Sequence, residues 1–238
     1  MATKKDQVIR DSGRAQRHPT YRTSTNEIVP GGSTLAKVVS YSGADGLIKW
    51  AVNLEREGID YDLYRKEAAS FGTTFHAIVE AHGLGKPFLP ENHVGCYVPP
   101  AQVMAKNFLD KLASLGLVML ENEIQVVSDQ DRVGGTLDIV AGEEGSRVPS
   151  VLIDLKSSNS IGVSEMIQVC GVYNRLFQSK YGYEPSAIYL ARADRNPPHA
   201  VTMYKPSQEQ VQASLALSSL AREAWNYKKV MTGSIPVV

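Results

Sequence analysis

Cysteine is nearly absent from this chain: Cys96 and Cys170 are the only two in 238 residues. That excludes a disulfide framework and a four-cysteine metal site, and it points to a reducing cytosol. Net charge is lacking as well, since 25 Lys and Arg balance 25 Asp and Glu. Composition therefore gives no support for a nucleic-acid partner, and any such contact depends on local positive charge. No apolar run is long enough to span a bilayer, and the first residues lack the apolar core of a secretory signal. They are basic enough for a mitochondrial transit peptide, although Asp6 and Asp11 argue against one. A cytoplasmic location is expected, with a mitochondrial one left open. There is no G-x-x-x-x-G-K-[ST] loop, so a fused ATPase is not expected, and there are no internal repeats or low-complexity segments. What remains, 43% hydrophobic and 21% charged, is an ordinary globular composition with length for one large domain.

Residues 1–26 are polar, without an apolar period. In them Lys4, Lys5, Arg10, Arg14, Arg17 and Arg22 outnumber Asp6 and Asp11, which reads as a flexible basic arm. Residues 27–238 read as a single domain. Its first part, 34–116, is helical: pieces between Thr34 and Glu67 after a PGGS turn, a helix over Phe71 to His82, a Gly/Pro-rich loop through Pro100, and a helix from Ala101 that stops at Gly116. A sheet core, 117–204, follows. Strands are predicted over Leu117–Val127, Val133–Val140 and Val151–Lys156, separated by SDQD and GEEGS turns. A helix over Val163–Tyr181 leads to strands at Ala187–Ala191 and Val201–Tyr204. Ser207 and Gln210 form a capping box for a last helix over 207–230. This order predicts an α/β (α+β) fold, a mixed sheet flanked by helices with an N-terminal helical elaboration.

The chemistry concentrates in GGTLDIV, ending at Val140, and VLIDLKSS, ending at Ser158. Asp154 and Lys156 are two apart and project from one face of their strand, within the apolar run Val151, Leu152, Ile153, Leu155. The strand before it presents Asp138 after a Gly-Gly pair. Charges in such runs are costly unless compensated, and a divalent metal would compensate them. A buried Asp–Lys ion pair that holds register is the other reading. His76 and Glu80 are four apart and share a helix face, as a site pair or an ordinary surface pair. Glu121 and Glu123 share a face of the first strand, where either is a site candidate and a solvated acidic stripe is the alternative. His82, His93 and His199 read as surface or loop residues.

The arrangement G-x-x-D, strand, D-x-K, then a helix bearing Gln resembles the PD-(D/E)XK nuclease superfamily. Within it the chain is similar to the RecB-type branch, which includes viral and mitochondrial exonucleases. FGTTFHAIVEAH resembles the G-T-x-x-H-x-x-x-E helix of that branch, and GLIKWAVN the region before it in phage members. The resemblance runs from about Gly43 to Tyr204. It implies a restriction-endonuclease-like sheet, with Asp138, Asp154 and the Leu155 carbonyl as metal ligands and His76 at the metal. Lys156 would orient water or stabilise charge on phosphate. Glu80, Glu123 and Ser157 would support the site or the DNA. Gln168 matches the glutamine of the family's Q-x-x-x-Y motif, but the tyrosine here is Tyr173, five residues on and well around a regular helix. The implied cofactor is magnesium or manganese, the latter suited by an imidazole ligand. The four-cysteine iron–sulfur cluster of some relatives is not expected, since two cysteines cannot hold it.

The expected function is a metal-dependent DNA exonuclease acting on single strands or free ends, in phage or organellar-type replication, recombination or repair. The partner is then DNA, with a single-strand-binding or recombination protein as a further candidate and no membrane; if viral, the location is host cytoplasm. A structure-specific endonuclease or resolvase of the same superfamily stays open. So do a non-catalytic DNA-binding protein on this scaffold and an unrelated globular protein with a chance Asp-x-Lys.

Overall fold

The computed structural model describes residues 20–40, 44–158 and 160–234. Lys4, Lys5, Arg10, Arg14 and Arg17 of the expected arm lie outside these. The arm's expected end at residue 26 is corrected. Tyr21–Arg22 (β1) pairs antiparallel with Ile28–Val29 (β2), and Tyr21 and Val29 are buried. Isolated apolar residues on two-residue strands leave no period to read.

Four helices precede the main sheet: α1 (Gly32–Val39), α2 (Ala44–Arg56), α3 (Tyr61–Gly83) and α4 (Val98–Ser114). Asp60 caps α3 by accepting from the Leu63 N–H at 2.8 Å. The start of α4 lies earlier than expected because Pro99 and Pro100 fall in its first turn, where no N–H is required. The five strands β3 (Leu117–Ser128), β4 (Val133–Glu143), β5 (Val151–Lys156), β6 (Ala187–Ala193) and β7 (Val201–Tyr204) form one sheet in the order β3-β4-β5-β6-β7. Only β5 and β6 run parallel. Their crossover is a continuous helical stretch: α5 (Val163–Met166), a π-helical segment (Ile167–Tyr173) and α6 (Asn174–Tyr181). The last helix, α7 (Gln208–Ser234), has its capping box in place: Gln210 N–H donates to Ser207 Oγ (3.2 Å) and Ser207 N–H to Gln210 Oε1 (2.8 Å). No helix of the described residues is long and apolar enough to cross a membrane.

The fold is thus the expected mixed α/β one, with helices on both faces of the sheet. In front, Phe71, Phe75 and Phe108 of α3 and α4 pack on Ile139, Ile153 and Leu155. Behind, Leu35, Val172, Leu176 and Phe177 pack on Leu137, Leu152 and Leu190. Covered on both sides, β5 is buried from Val151 to Leu155, which explains its unbroken apolar run. The Gly-Gly pair of β4 admits two aromatic rings. A Cβ on Gly134 would collide with Tyr21, and one on Gly135 would lie 2.7 Å from Tyr173.

Candidate active site

The site begins where β4 and β5 part. They pair from Ala141–Val151 to Ile139–Ile153 and no further. Beyond that point Leu155 turns both its backbone groups into the gap. Its N–H donates to Asp138 Oδ2 at 2.8 Å, and its carbonyl oxygen is 3.2 Å from His76 Nε2. A carboxylate and an imidazole have replaced the missing ladder partner.

On the other side, β3 and β4 are irregular in the same place. Asn122 pairs with Ile139 and Ile124 with Leu137, leaving Glu123 and Asp138 unpaired between them. Glu123 has φ 47°, a left-handed conformation uncommon for a side chain of its size. This breaks the period-two alternation and corrects the shared-face expectation for Glu121 and Glu123. Glu121 turns behind the sheet, to Lys180 Nζ (2.8 Å) and Tyr181 OH (2.5 Å). Glu123 turns forward, with Oε1 3.4 Å from His76 Nδ1. Local strain of this kind costs on the order of 1–3 kcal/mol, and surrounding structure must hold it in place.

His76 reaches the gap from α3, whose packing depends on Gly72. A Cβ there would lie 2.8 Å from Ser157 Oγ, so the glycine of G-T-x-x-H lets the end of β5 approach the helix. Gly inside a helix costs roughly 0.5–1 kcal/mol relative to Ala, and here it allows this close contact. The donor atoms of His76, Glu123 and Asp138 all lie within 4.8 Å of one another. Asp154 stands outside that group, 1% exposed, with Lys156 Nζ 2.5 Å from its Oδ2 and no hydrogen-bond partner for its Oδ1.

The electrostatics follow from crowding acids in a covered place. Burial pushes the Asp154 carboxyl up to about 6, against the pull of Lys156, and Asp138 adds to the rise. Asp138 is also raised, chiefly by burial, although His76 and Lys156 pull it down. Burial lowers the His76 imidazole, but the Asp138 and Glu123 carboxylates outweigh it, and its pKa ends above the ordinary value. Lys156 loses to burial and gains more from Asp154 and Asp138, so it remains charged at neutral pH. Three carboxylates thus face one lysine and one histidine, with a buried oxygen left over. That donor set, oxygen with one imidazole, suits magnesium or manganese.

The remaining sequence candidates fall around this centre. The expectation that Tyr173 lies well around the helix from Gln168 is corrected. The π-helical segment has i→i+5 spacing, and Gln168 Nε2 donates to Tyr173 OH at 2.6 Å. The extra residue in the Q-x-x-x-Y pattern is absorbed by the wider turn. Tyr173 feels the Asp154 and Asp138 charges, which with dominant burial raise its pKa well above the ordinary value. Glu80 is half-buried one turn from His76, and among the described residues its side chain takes part in no hydrogen bond or ion pair. His82 is exposed, while His93 is a loop residue bonded to Thr74 Oγ1 and stacked on Phe88. Cys170 lies behind Asp154 with its thiol pushed up to about 12 by burial, so it is unreactive. Sequence reasoning missed Tyr21, whose hydroxyl is 3.1 Å from Thr136 Oγ1, two residues before Asp138. Its only sequence signal was the Gly-Gly pair that makes room for its ring.

No family model matches the chain, and no curated protein matches it. Among solved structures, a Eubacterium rectale protein named as a candidate exonuclease is 11% identical, with a TM-score of 0.47 over 69% of either chain. The protein SSO0001 is also 11% identical, with a TM-score of 0.37 over 92% of this chain and 86% of that one. The alkaline exonuclease of Laribacter hongkongensis is 11% identical, with a TM-score of 0.36 over 85% of this chain and 93% of that one. Likeness of this degree carries no functional argument, and the reading below rests on the site itself.

Proposed function

We propose that this chain is a metal-dependent DNA nuclease of the PD-(D/E)XK kind, an exonuclease acting on single strands or free ends. The observation that carries the reading is the convergence of His76, Glu123 and Asp138 beside the under-partnered Asp154–Lys156 pair, where the strands splay. An enzyme of this type has to gather carboxylates, place a cation next to phosphate and keep one lysine at the reacting atoms. Asp138, Glu123 and His76 would hold the ion, with Asp154 and the Leu155 carbonyl at its edge. A bound magnesium or manganese ion supplies positive charge to the phosphate and lowers the pKa of water towards neutrality. The Lys156 ammonium, held against Asp154, would then hold the attacking water or stabilise the charge growing on phosphate. The Gln168–Tyr173 pair walls the site from behind and presents hydrogen-bonding groups to the strand. Glu80 and Ser157 support from α3 and the end of β5.

Cleavage of end-labelled single- and double-stranded DNA, titrated with magnesium or manganese, tests the reading. Metal-dependent release of nucleotides from an end, abolished by chelation, is expected. Internal cuts without end dependence would favour the endonuclease or resolvase alternative. Binding without cleavage would favour the non-catalytic one.

A further inference from the structure

Beside the candidate centre lies a cavity of about 490 Å³ that its chemistry does not use. Three aromatic side chains from separate parts of the chain meet there: Tyr21 of β1, Tyr173 of the π-helical segment and Trp225 of α7. Thr20, Ser33 and Thr34 add hydroxyls, and among the described residues no charged side chain lines it. The volume lies within the usual range for small-molecule sites. Aromatic walls suit a neutral planar ring. Hydroxyls both donate and accept, so they meet the edge of any base without choosing among them.

Position supplies the rest. Tyr21 OH contacts Thr136, which precedes Asp138 by two residues on β4. Two residues of strand span about 7 Å, a distance of one or two nucleotides along a nucleic-acid strand. Tyr173 is shared between the cavity and the back of the centre. We infer that this cavity is a nucleobase subsite, which takes an unstacked base of the DNA strand one or two nucleotides from the phosphate at the centre. The inference rests on the nuclease reading for its substrate, but its physical content, an aromatic box for a base, can be tested without activity.

The chain has two tryptophans, Trp50 and Trp225, so Trp50→Phe leaves Trp225 as the only indole. In that full-length variant, millimolar deoxyadenosine should quench Trp225 fluorescence and 2-deoxyribose should not. Quenching by both or by neither overturns the subsite. In cleavage, single strands ending in abasic nucleotides should show a KM raised roughly tenfold with kcat within about twofold, the scale of one base–aromatic stack. Trp225→Ala should erase that difference and Trp225→Tyr should restore it. Equal KM for intact and abasic ends in the wild type rejects the subsite while leaving the nuclease reading intact. Selective quenching without any metal-dependent cleavage rejects the nuclease reading and keeps a nucleoside site.

Discussion

Two sets of charges, one where β4 and β5 part and one between the sheet and the helices behind it, are built on opposite principles. Behind, Glu121 meets Lys180 and the Tyr181 hydroxyl, and Asp131 meets Arg222 at 2.8 Å and Arg175 at 3.9 Å. Each acid there has more than one donor, and each cluster ties a β3 residue or turn to a helix. Where the strands part, Glu123, Asp138 and Asp154 share His76 and Lys156, one acid sits on a left-handed residue, and a buried carboxylate oxygen has no donor. Balanced clusters hold a fold together. An acid-rich one weakens it, and such a departure is what the proposed cation and its chemistry would require.

Substitution should separate the two sets most sharply in cleavage. Asp138→Asn and Asp154→Asn are expected to cut turnover by at least about a hundredfold, since neutral amides bind a cation poorly and one lost electrostatic group alone costs that much. Glu121→Gln should leave turnover unchanged and cost no more than about 1 kcal/mol of stability, because its ion pair is partly solvated. Rates on end-labelled DNA and thermal melts of the same preparations check both. Undiminished cleavage by either aspartate variant would remove that residue from the site. Lys156→Ala should lower kcat by a comparable factor with DNA affinity little changed, as a contact made in the transition state does. Weak binding with normal turnover at saturation would make Lys156 a positioning residue instead.

The metal requirement sharpens the contrast next. His76→Ala should raise the metal concentration for half-maximal cleavage by roughly tenfold or more, on the scale of losses around metal sites. His82→Ala, exposed on the same helix, should leave the titration where it was. Superimposed curves for His76→Ala and wild type would return His76 to an ordinary helix position.

Legibility in the sequence differed between these regions for physical reasons. Asp138, Asp154, Lys156 and His76 stood out because charge in an apolar strand, or at fixed helical spacing, contradicts its surroundings. The order of strands and the α7 capping box were readable because period and caps are local. The choice between Glu121 and Glu123 was not, since it depends on a left-handed residue and a paired irregularity across two strands. Nor was the Gln168–Tyr173 contact, because a regular helix was assumed where the chain widens into a π turn. Tyr21 was hidden for a third reason: a lone aromatic in a polar stretch shows its role only when β4 closes over it.

Acidity offers a smaller test, in stability rather than rate. Asp154 titrates at about 6 when folded, against 3.8 in its ordinary state. Between those values the folded chain holds more protons than the unfolded one, so this group's contribution to stability falls as pH rises from about 4 to 6. Without metal, Asp154→Asn should therefore gain in melting temperature relative to wild type across that window. Saturating magnesium or manganese should reverse the trend, since the ion requires the carboxylate deprotonated. A pH-independent difference in chelator would mean that Asp154 is not held at a raised pKa.

The smallest expected effect concerns Lys4, Lys5, Arg10, Arg14 and Arg17, which outnumber Asp6 and Asp11 at the start of a chain of zero net charge. Each phosphate they contact would release a counterion and contribute roughly −0.7 to the salt slope on single strands. Deleting residues 1–19 should then weaken DNA binding at low salt, with a loss that shrinks as salt rises, and should leave turnover at saturating DNA unchanged. Deleting residues 1–25 is a different experiment. It also removes β1 and the buried Tyr21 ring over Gly134, which should cost about 3 kcal/mol or more of stability, in the range of aromatic core truncations. The two truncations thus divide a charge effect from a packing effect along one short segment. If binding curves of the full chain and the 1–19 deletion superimpose at low salt, the basic residues are solvated and DNA is held by the folded part alone.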